Sequence, residues 1–133
     1  ACTQSKDGIL NEKIARQKSP IYWETPIDKL NYSTLEISTG IYDGMRGNGV
    51  IPITHSINFY NKLLSDLDIS DSSKYVSAEE KLALLEFRKP LGSFGQISGR
   101  EVALIKKTNN IKLTIFEGGH EILHKYAFEE LVK

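Results

Sequence analysis

The sequence lacks several features that would place it in a special class of proteins. Its 133 residues include one cysteine, Cys2, so no disulfide can form within the chain. No apolar run approaches the roughly 18 residues that a membrane-spanning helix needs. Lysine plus arginine equals aspartate plus glutamate at 17 each, so the net charge is zero. The sequence therefore carries no signature of a disulfide scaffold, a transmembrane segment or a nucleic-acid-binding surface.

What is present is typical of a globular domain. Hydrophobic residues make up 40% of the chain and charged residues 26%. The length fits one domain, and there is no internal repeat or low-complexity tract. We expect a single domain over residues 1–133, with a polar, irregular lead-in at 1–34 and a core at 35–133. Within the lead-in, Thr25 is predicted to cap a short helical turn that starts at Pro26.

One stretch of the core combines a strand pattern with a histidine. The run from Lys112 to Phe116 is rich in β-branched and apolar residues, and it ends at Gly118-Gly119 followed by His120. Two glycines permit a tight loop and close backbone approach. In open α/β sheets, functional side chains lie just beyond the carboxyl end of a strand. His120 is therefore a candidate functional residue.

A second stretch has the same form and carries an acid. Residues 35–41 read as a strand that runs into a glycine-rich loop containing Asp43, Gly44, Gly47 and Gly49. A histidine that acts as a general base needs a partner that holds its tautomer and stabilises the imidazolium. A carboxylate at the end of a neighbouring strand can do this. Asp43 is therefore the candidate partner of His120.

The segment between the two loops predicts helices. Pro52 opens a helix whose apolar residues recur at intervals of four, three, four and three, namely Ile53, Ile57, Tyr60, Leu64 and Leu67. Ser77-Ala-Glu-Glu80 has the spacing of a capping box and predicts a second helix that must end before Pro90. Both helices are expected to pack on a sheet.

The rest of the core predicts two strands and a last helix. Residues 101–107 and 111–116 read as strands joined by a turn at Thr108-Asn-Asn110, and a helix over 125–132 is expected to pack through Tyr126, Ala127, Phe128 and Leu131. The predicted fold is α/β in the order β-α-α-β-β-α. The strands from Leu35 and Ile111 are expected to be parallel, with an antiparallel hairpin strand beside them. Both candidate loops then lie at one edge of the sheet.

At these loops the chain resembles the C-terminal part of an α/β-hydrolase, of the prolyl-oligopeptidase-like or esterase-like kind. The matching segments are residues 16–22, Thr39-Gly-Ile-Tyr-Asp-Gly44 continuing through 50–61, and Ile115-Phe-Glu-Gly-Gly-His-Glu-Ile122. In that family the triad follows the order Ser, Asp or Glu, His. The resemblance implies a serine hydrolase that acts on an ester or peptide acyl bond, with catalytic Asp43 and His120 and no cofactor or metal.

The serine of that family lies on a G-x-S-x-G turn between a strand and a helix, and this turn is absent here. The nearest string, Gly95-Gln-Ile-Ser98-Gly99, has the wrong spacing and no predicted strand leads into it. The resemblance therefore implies a nucleophile and an oxyanion hole in sequence N-terminal to Ala1. The chain alone is then expected to be inactive or nearly so, and its partners are an acyl substrate and a segment or second chain that completes the sheet.

Other interpretations stay open from the sequence. The chain is also compatible with a truncated fragment, one half of a split hydrolase, or a small non-catalytic binding module in which Asp43 and His120 are too far apart to bond. His124 follows His120 by four residues, but the two glycines place His120 before the helix, so a zinc site is not expected. A cysteine at position 2 is compatible with a secreted, periplasmic or lipid-anchored protein, and the sequence does not decide between them.

Overall fold

A curled, mixed four-stranded sheet lies at the centre of the computed structural model, which describes residues 9, 11–45 and 49–132. The mixed α/β class predicted from the sequence is confirmed. The strands are β1 (Leu35–Gly40), β2 (Gln96–Ile97), β3 (Arg100–Thr108) and β4 (Ile111–Phe116). The helices are α1 (Glu12–Lys18), α2 (Ile27–Leu30), α3 (Ile53–Asp66), α4 (Ala78–Phe87) and α5 (His124–Leu131), with 3-10 turns at Pro20–Tyr22 and Ser72–Lys74.

The order of strands across the sheet is β1-β4-β3-β2. β1 and β4 are parallel, in a register that runs from Leu35 opposite Ile111 to Gly40 opposite Phe116. β3 is antiparallel to β4, and Asn109 in the turn between them takes a left-handed φ of 52°. Asparagine tolerates this conformation better than most residues. The parallel register puts the carboxyl ends of β1 and β4 side by side.

Helix α3 forms because its apolar residues share one face. Ile53, Ile57, Tyr60 and Leu64 are buried against the sheet, as their spacing predicts, and Leu63 joins them. The last residue of the predicted stripe, Leu67, follows the end of the helix and is half-buried. Burying each such side chain contributes about 1.5–3 kcal/mol. Helix α4 begins with the predicted capping box, in which the Ser77 hydroxyl accepts from the Glu80 amide. Helix α3 covers one face of the sheet, and α4 packs against α3.

The lead-in is more ordered than its composition predicts. Asn11 caps α1 by accepting a hydrogen bond from the Ile14 amide at 3.1 Å. The predicted capping role of Thr25 is wrong: α2 has no side-chain cap, and the Thr25 hydroxyl instead donates to the carboxylate of Asp66 on α3. The local pattern assigned the Thr25 hydroxyl to a helix end, but it instead donates to an acceptor that is distant in the sequence.

Helix α5 does not pack as its pattern predicts. Tyr126 is buried, but Phe128 is 66% exposed and Leu131 84% exposed. Polar contacts attach the helix instead, because the Tyr126 hydroxyl accepts from Lys112 on β4 and donates to Glu36 on β1. A local periodicity cannot show bonds to residues that are distant in the chain. Among residues 9, 11–45 and 49–132, no helix is long and apolar enough to cross a membrane.

Candidate active site

Backbone hydrogen bonds carry the β1–β4 pairing past the ends of both strands. The Ile41 amide donates to the Phe116 carbonyl at 2.8 Å, and the Tyr42 amide donates to the Gly118 carbonyl at 2.9 Å. The two loops that follow the strands are therefore fixed to each other before either reaches its functional side chain. Asp43 comes one residue after this attachment, and His120 comes two residues after it.

A glycine at the end of β1 allows the two loops to approach this closely. A Cβ added to Gly40 would lie 2.2 Å from the Gly119 carbonyl oxygen and 2.4 Å from that of Gly118. Real Cβ atoms do not approach a carbonyl oxygen that closely. The space above Gly40 is filled by the backbone that leads into His120, so the glycine is required by packing and not by its own φ.

The structure brings the two predicted side chains together. The Nδ1 atom of His120 lies 2.8 Å from Oδ2 of Asp43, which is hydrogen-bond distance. The other oxygen, Oδ1, accepts from the Gly44 amide at 2.8 Å. Both carboxylate oxygens are therefore engaged, and the carboxylate is held in one orientation.

The two partners differ sharply in exposure. The side chain of Asp43 is 7% exposed, whereas that of His120 is 62% exposed. A carboxylate away from water interacts more strongly with a partner charge than one in bulk solvent. An imidazole that is bonded at Nδ1 and exposed elsewhere presents its other nitrogen to a reactant. This is the division of roles between an orienting acid and a general base.

Gly49 covers the pair from the loop that follows Asp43. A Cβ at this position would lie 2.4 Å from Cβ of His120 and 2.6 Å from Oδ1 of Asp43. Its φ of 108° is also in the region that favours glycine. Residues 46–48 of the same loop lie outside the described residues. The sequence flagged the loop as glycine-rich, but it gave no sign that this particular glycine contacts the histidine.

Among residues 9, 11–45 and 49–132, none bonds the second nitrogen of the imidazole, Nε2. Within this part of the chain the ring bonds through Nδ1, to Asp43. A carboxylate at Nδ1 favours the neutral tautomer that carries its proton there, and that tautomer has a lone pair on Nε2. A lone pair on an exposed, oriented imidazole can take a proton from a hydroxyl or attack an activated carbonyl.

Other candidate residues lie apart from the pair. Ser98, in the string nearest to a nucleophile turn, lies between β2 and β3 at the sheet edge opposite β1. His55 is exposed in the first turn of α3, and His124 is exposed at the start of α5. No described serine bonds His120, and no group of three potential metal ligands occurs in this part of the chain. Cys2 lies outside the described residues.

The carboxylate of Glu121, which follows His120, has partners of its own. Glu121 pairs with Arg100 at 3.2 Å and accepts from the Gly119 amide at 3.3 Å. Arg100 also donates to the carbonyl of Glu117 at 3.1 Å. These contacts brace the loop after β4, and they leave Asp43 as the carboxylate in contact with the imidazole.

Comparison with known proteins identifies no relative. No protein-family model matches the chain, no curated protein matches it, and no solved structure matches its fold. A proposal about the function must therefore be argued from the geometry of the site itself.

Proposed function

We propose that this chain supplies the acid and the general base of a serine hydrolase that acts on an ester or peptide acyl bond. The observation that carries the proposal is the 2.8 Å contact between Oδ2 of buried Asp43 and Nδ1 of exposed His120. The small binding module was the alternative in which Asp43 and His120 would be too far apart to bond, so the contact favours the hydrolase. The contact also agrees with the resemblance of the two loops to the C-terminal part of an α/β-hydrolase.

In the proposed reaction, Nε2 of His120 takes the proton of a serine hydroxyl as the serine oxygen bonds to the acyl carbon. Asp43 stabilises the imidazolium that forms. The imidazolium then gives the proton to the leaving group, and the acyl–leaving group bond breaks. A water molecule releases the acyl group in a second round of the same proton transfers. Backbone amides near the serine hold the oxyanion.

The open edge of β1 supports a nucleophile on another segment. The amides of Leu35 and Ile41 donate to Asn110 and Phe116, so the odd-numbered residues of β1 bond to β4. The backbone groups of Glu36 and Ser38 then face the outer edge of the sheet, where no described strand lies. Parallel strands are normally covered by further structure. A strand from the segment that carries the serine is the natural neighbour of β1.

The test is hydrolysis of an activated ester by a protein that joins this chain to a segment containing the G-x-S-x-G turn. That segment is sought first in the reading frame upstream of the codon for Ala1. The joined protein is expected to hydrolyse the ester, and this chain alone is expected to show almost no turnover. His55→Ala and His124→Ala serve as matched controls, because both histidines are exposed and lie outside the pair. His120→Ala should abolish the activity that both controls retain, and equal loss in all three histidine variants would contradict the proposal.

A further inference from the structure

Arg88 occupies a backbone position that does not favour arginine. It is the residue at the end of α4, and its φ of 50° and ψ of 42° are left-handed. Helices that end this way usually have glycine there, or sometimes asparagine, because a Cβ makes the conformation costly. The backbone therefore offers no reason for an arginine at this position, and the reason must lie in what the side chain contacts.

The side chain of Arg88 crosses from α4 to the turn that carries Asp43. Its Nη1 atom donates to the carbonyl of Ile41 at 2.6 Å, and its Nε atom donates to the carbonyl of Leu85 at 2.9 Å. The second bond anchors the guanidinium on its own helix. The first reaches a carbonyl 47 positions away in the sequence, two residues before Asp43.

The carbonyl of Ile41 belongs to the central peptide of a tight turn. The Asp43 amide donates to the Gly40 carbonyl at 3.0 Å, which closes a four-residue turn with Ile41 and Tyr42 in its middle. The two common turn types differ by a flip of this central peptide. Here the amide side of the peptide bonds Gly118 and the carbonyl side bonds Arg88, so a flip would break both bonds.

We propose that Arg88 is a positioning residue for the Asp43–His120 pair. By holding the Ile41–Tyr42 peptide in one orientation, Arg88 fixes the direction in which the Asp43 side chain leaves the backbone. The carboxylate then stays within reach of Nδ1 of His120. This role depends on the proposed function, since it matters only if the pair performs chemistry.

The experiment measures the exchange with water of the proton on Nδ1 of His120 by nitrogen-edited NMR of the imidazole rings. Arg88→Gly removes the guanidinium and also relieves the left-handed backbone. We expect it to speed this exchange at least tenfold without unfolding the protein, and we expect Arg88→Lys, which keeps one donor, to restore part of the protection. Asp68→Gly is the matched control, because it relieves a φ of 53° at the exposed end of α3 and should change nothing at His120.

The outcomes separate this inference from the function it depends on. If Arg88→Gly leaves the exchange as in the wild type while Asp43→Ala abolishes the protected signal, the positioning role is wrong and the pair stands. If Asp43→Ala also leaves the signal unchanged, the pair itself is wrong. If Arg88→Gly folds poorly, Arg88→Met decides, because it keeps the aliphatic part of the side chain and removes every donor.

Discussion

Two polar clusters lie on the paired strands β1 and β4, and they use their polar atoms in opposite ways. One is the pair of Asp43 and His120 beyond the strand ends. The other, which we call the α5 anchor, joins helix α5 to the two strands. It consists of Glu36 on β1, Lys112 and Thr114 on β4, and Tyr126 on α5. Both contain a carboxylate that accepts several hydrogen bonds. They differ in whether a side-chain nitrogen or oxygen atom lacks a hydrogen-bond partner among the described residues.

In the α5 anchor, each of the four side chains forms a hydrogen bond or an ion pair with another of them. Glu36 accepts from Thr114 at 2.8 Å, from Tyr126 at 3.0 Å and from Ser38 at 3.2 Å. Lys112 donates to Tyr126 at 2.6 Å and lies 3.4 Å from the Glu36 carboxylate. A network satisfied in this way holds a helix on a sheet. In the Asp43–His120 pair, no described residue bonds Nε2 of the exposed imidazole. This nitrogen, more than charge or burial, distinguishes the pair from the anchor, and under the proposed function it is the atom that takes the serine proton.

The largest predicted difference between the two clusters is in catalysis. It is tested by replacing His120 and Asp43 separately in the joined protein. His120→Ala is expected to lower kcat for an activated ester by about 10⁶, because it removes the base that takes the serine proton. Asp43→Asn is expected to lower it by about 10⁴, because the imidazole loses its orientation and its counter-charge. Steady-state kinetics measures both.

Glu36→Gln is the control from the α5 anchor and should retain activity near that of the parent protein. Unchanged turnover in His120→Ala or in Asp43→Asn would contradict the assignment of the pair.

A second prediction tests the close packing over the pair. Gly49→Ala should destabilise the protein by about 2–4 kcal/mol, because the new Cβ meets both His120 and Asp43 and the backbone has a positive φ. Gly99→Ala is a matched control with a φ of 75° and no heavy atom within 4 Å of its added Cβ. It should cost only about 1 kcal/mol. Denaturant unfolding measures both, and equal costs would mean that the contact with the pair is unimportant.

A third prediction concerns the α5 anchor. Lys112→Met should lower the free energy of unfolding by roughly 1–3 kcal/mol, because the Glu36 carboxylate and the Tyr126 hydroxyl lose their cation. The signals of α5 residues should shift, whereas those of His120 should not. Lys106→Met, which breaks an ion pair with Glu80 of similar exposure, is the control for loss of a lysine elsewhere on the sheet. A smaller loss for Lys112 than for Lys106 would contradict the anchor.

The pKa of Lys112 gives the same anchor a pH dependence. Desolvation lowers this pKa, but the hydrogen bond with Tyr126 and the charge of Glu36 raise it, so it lies above its ordinary value of 10.5. A raised pKa contributes stability below that ordinary value, and the contribution is lost as the pH rises through the folded-state value. The gap in stability between the wild type and Lys112→Met should therefore narrow in strongly alkaline solution. A difference in stability that widens in strongly alkaline solution would contradict the raised pKa of Lys112.

The smallest predicted effect lies in the contact between the lead-in and α3. Hydrogen bonds from Lys62 and Thr25 hold the pKa of Asp66 below its ordinary value of 3.8. The stabilisation is present above that value and is lost as the pH falls through the folded-state pKa. Asp66→Asn should therefore unfold more easily than the wild type at neutral pH and resemble it in strong acid. An undiminished difference below pH 3 would contradict this linkage.

The sequence predicts those parts of the structure that depend on local pattern. The α3 stripe and the Ser77 capping box follow from spacing alone, and both are confirmed. Asp43 and His120 could be named because each lies in a glycine-containing loop at the end of a strand pattern. Their separation could not be known from the sequence, since it depends on the register of β1 against β4.

Three contacts that sequence analysis missed join residues that are distant in the chain. Thr25 bonds Asp66, Tyr126 bonds Glu36, and Arg88 bonds Ile41, at separations of 41, 90 and 47 positions. No periodicity or capping rule encodes such a bond. A charged residue at the end of a helix reads as solvated unless its partner is known, and this is why Arg88 was not flagged.

The central claim is that Asp43 holds His120 with its proton on Nδ1 and its lone pair on Nε2. The nitrogen chemical shifts of the imidazole rings test this directly, and the chain offers internal controls because its other two histidines, His55 and His124, are exposed and outside the pair. We predict that His120 alone shows the Nδ1-protonated form with a slowly exchanging proton, and that Asp43→Ala abolishes it. A His120 spectrum that matches those of His55 and His124, or one that Asp43→Ala leaves unchanged, would contradict the account.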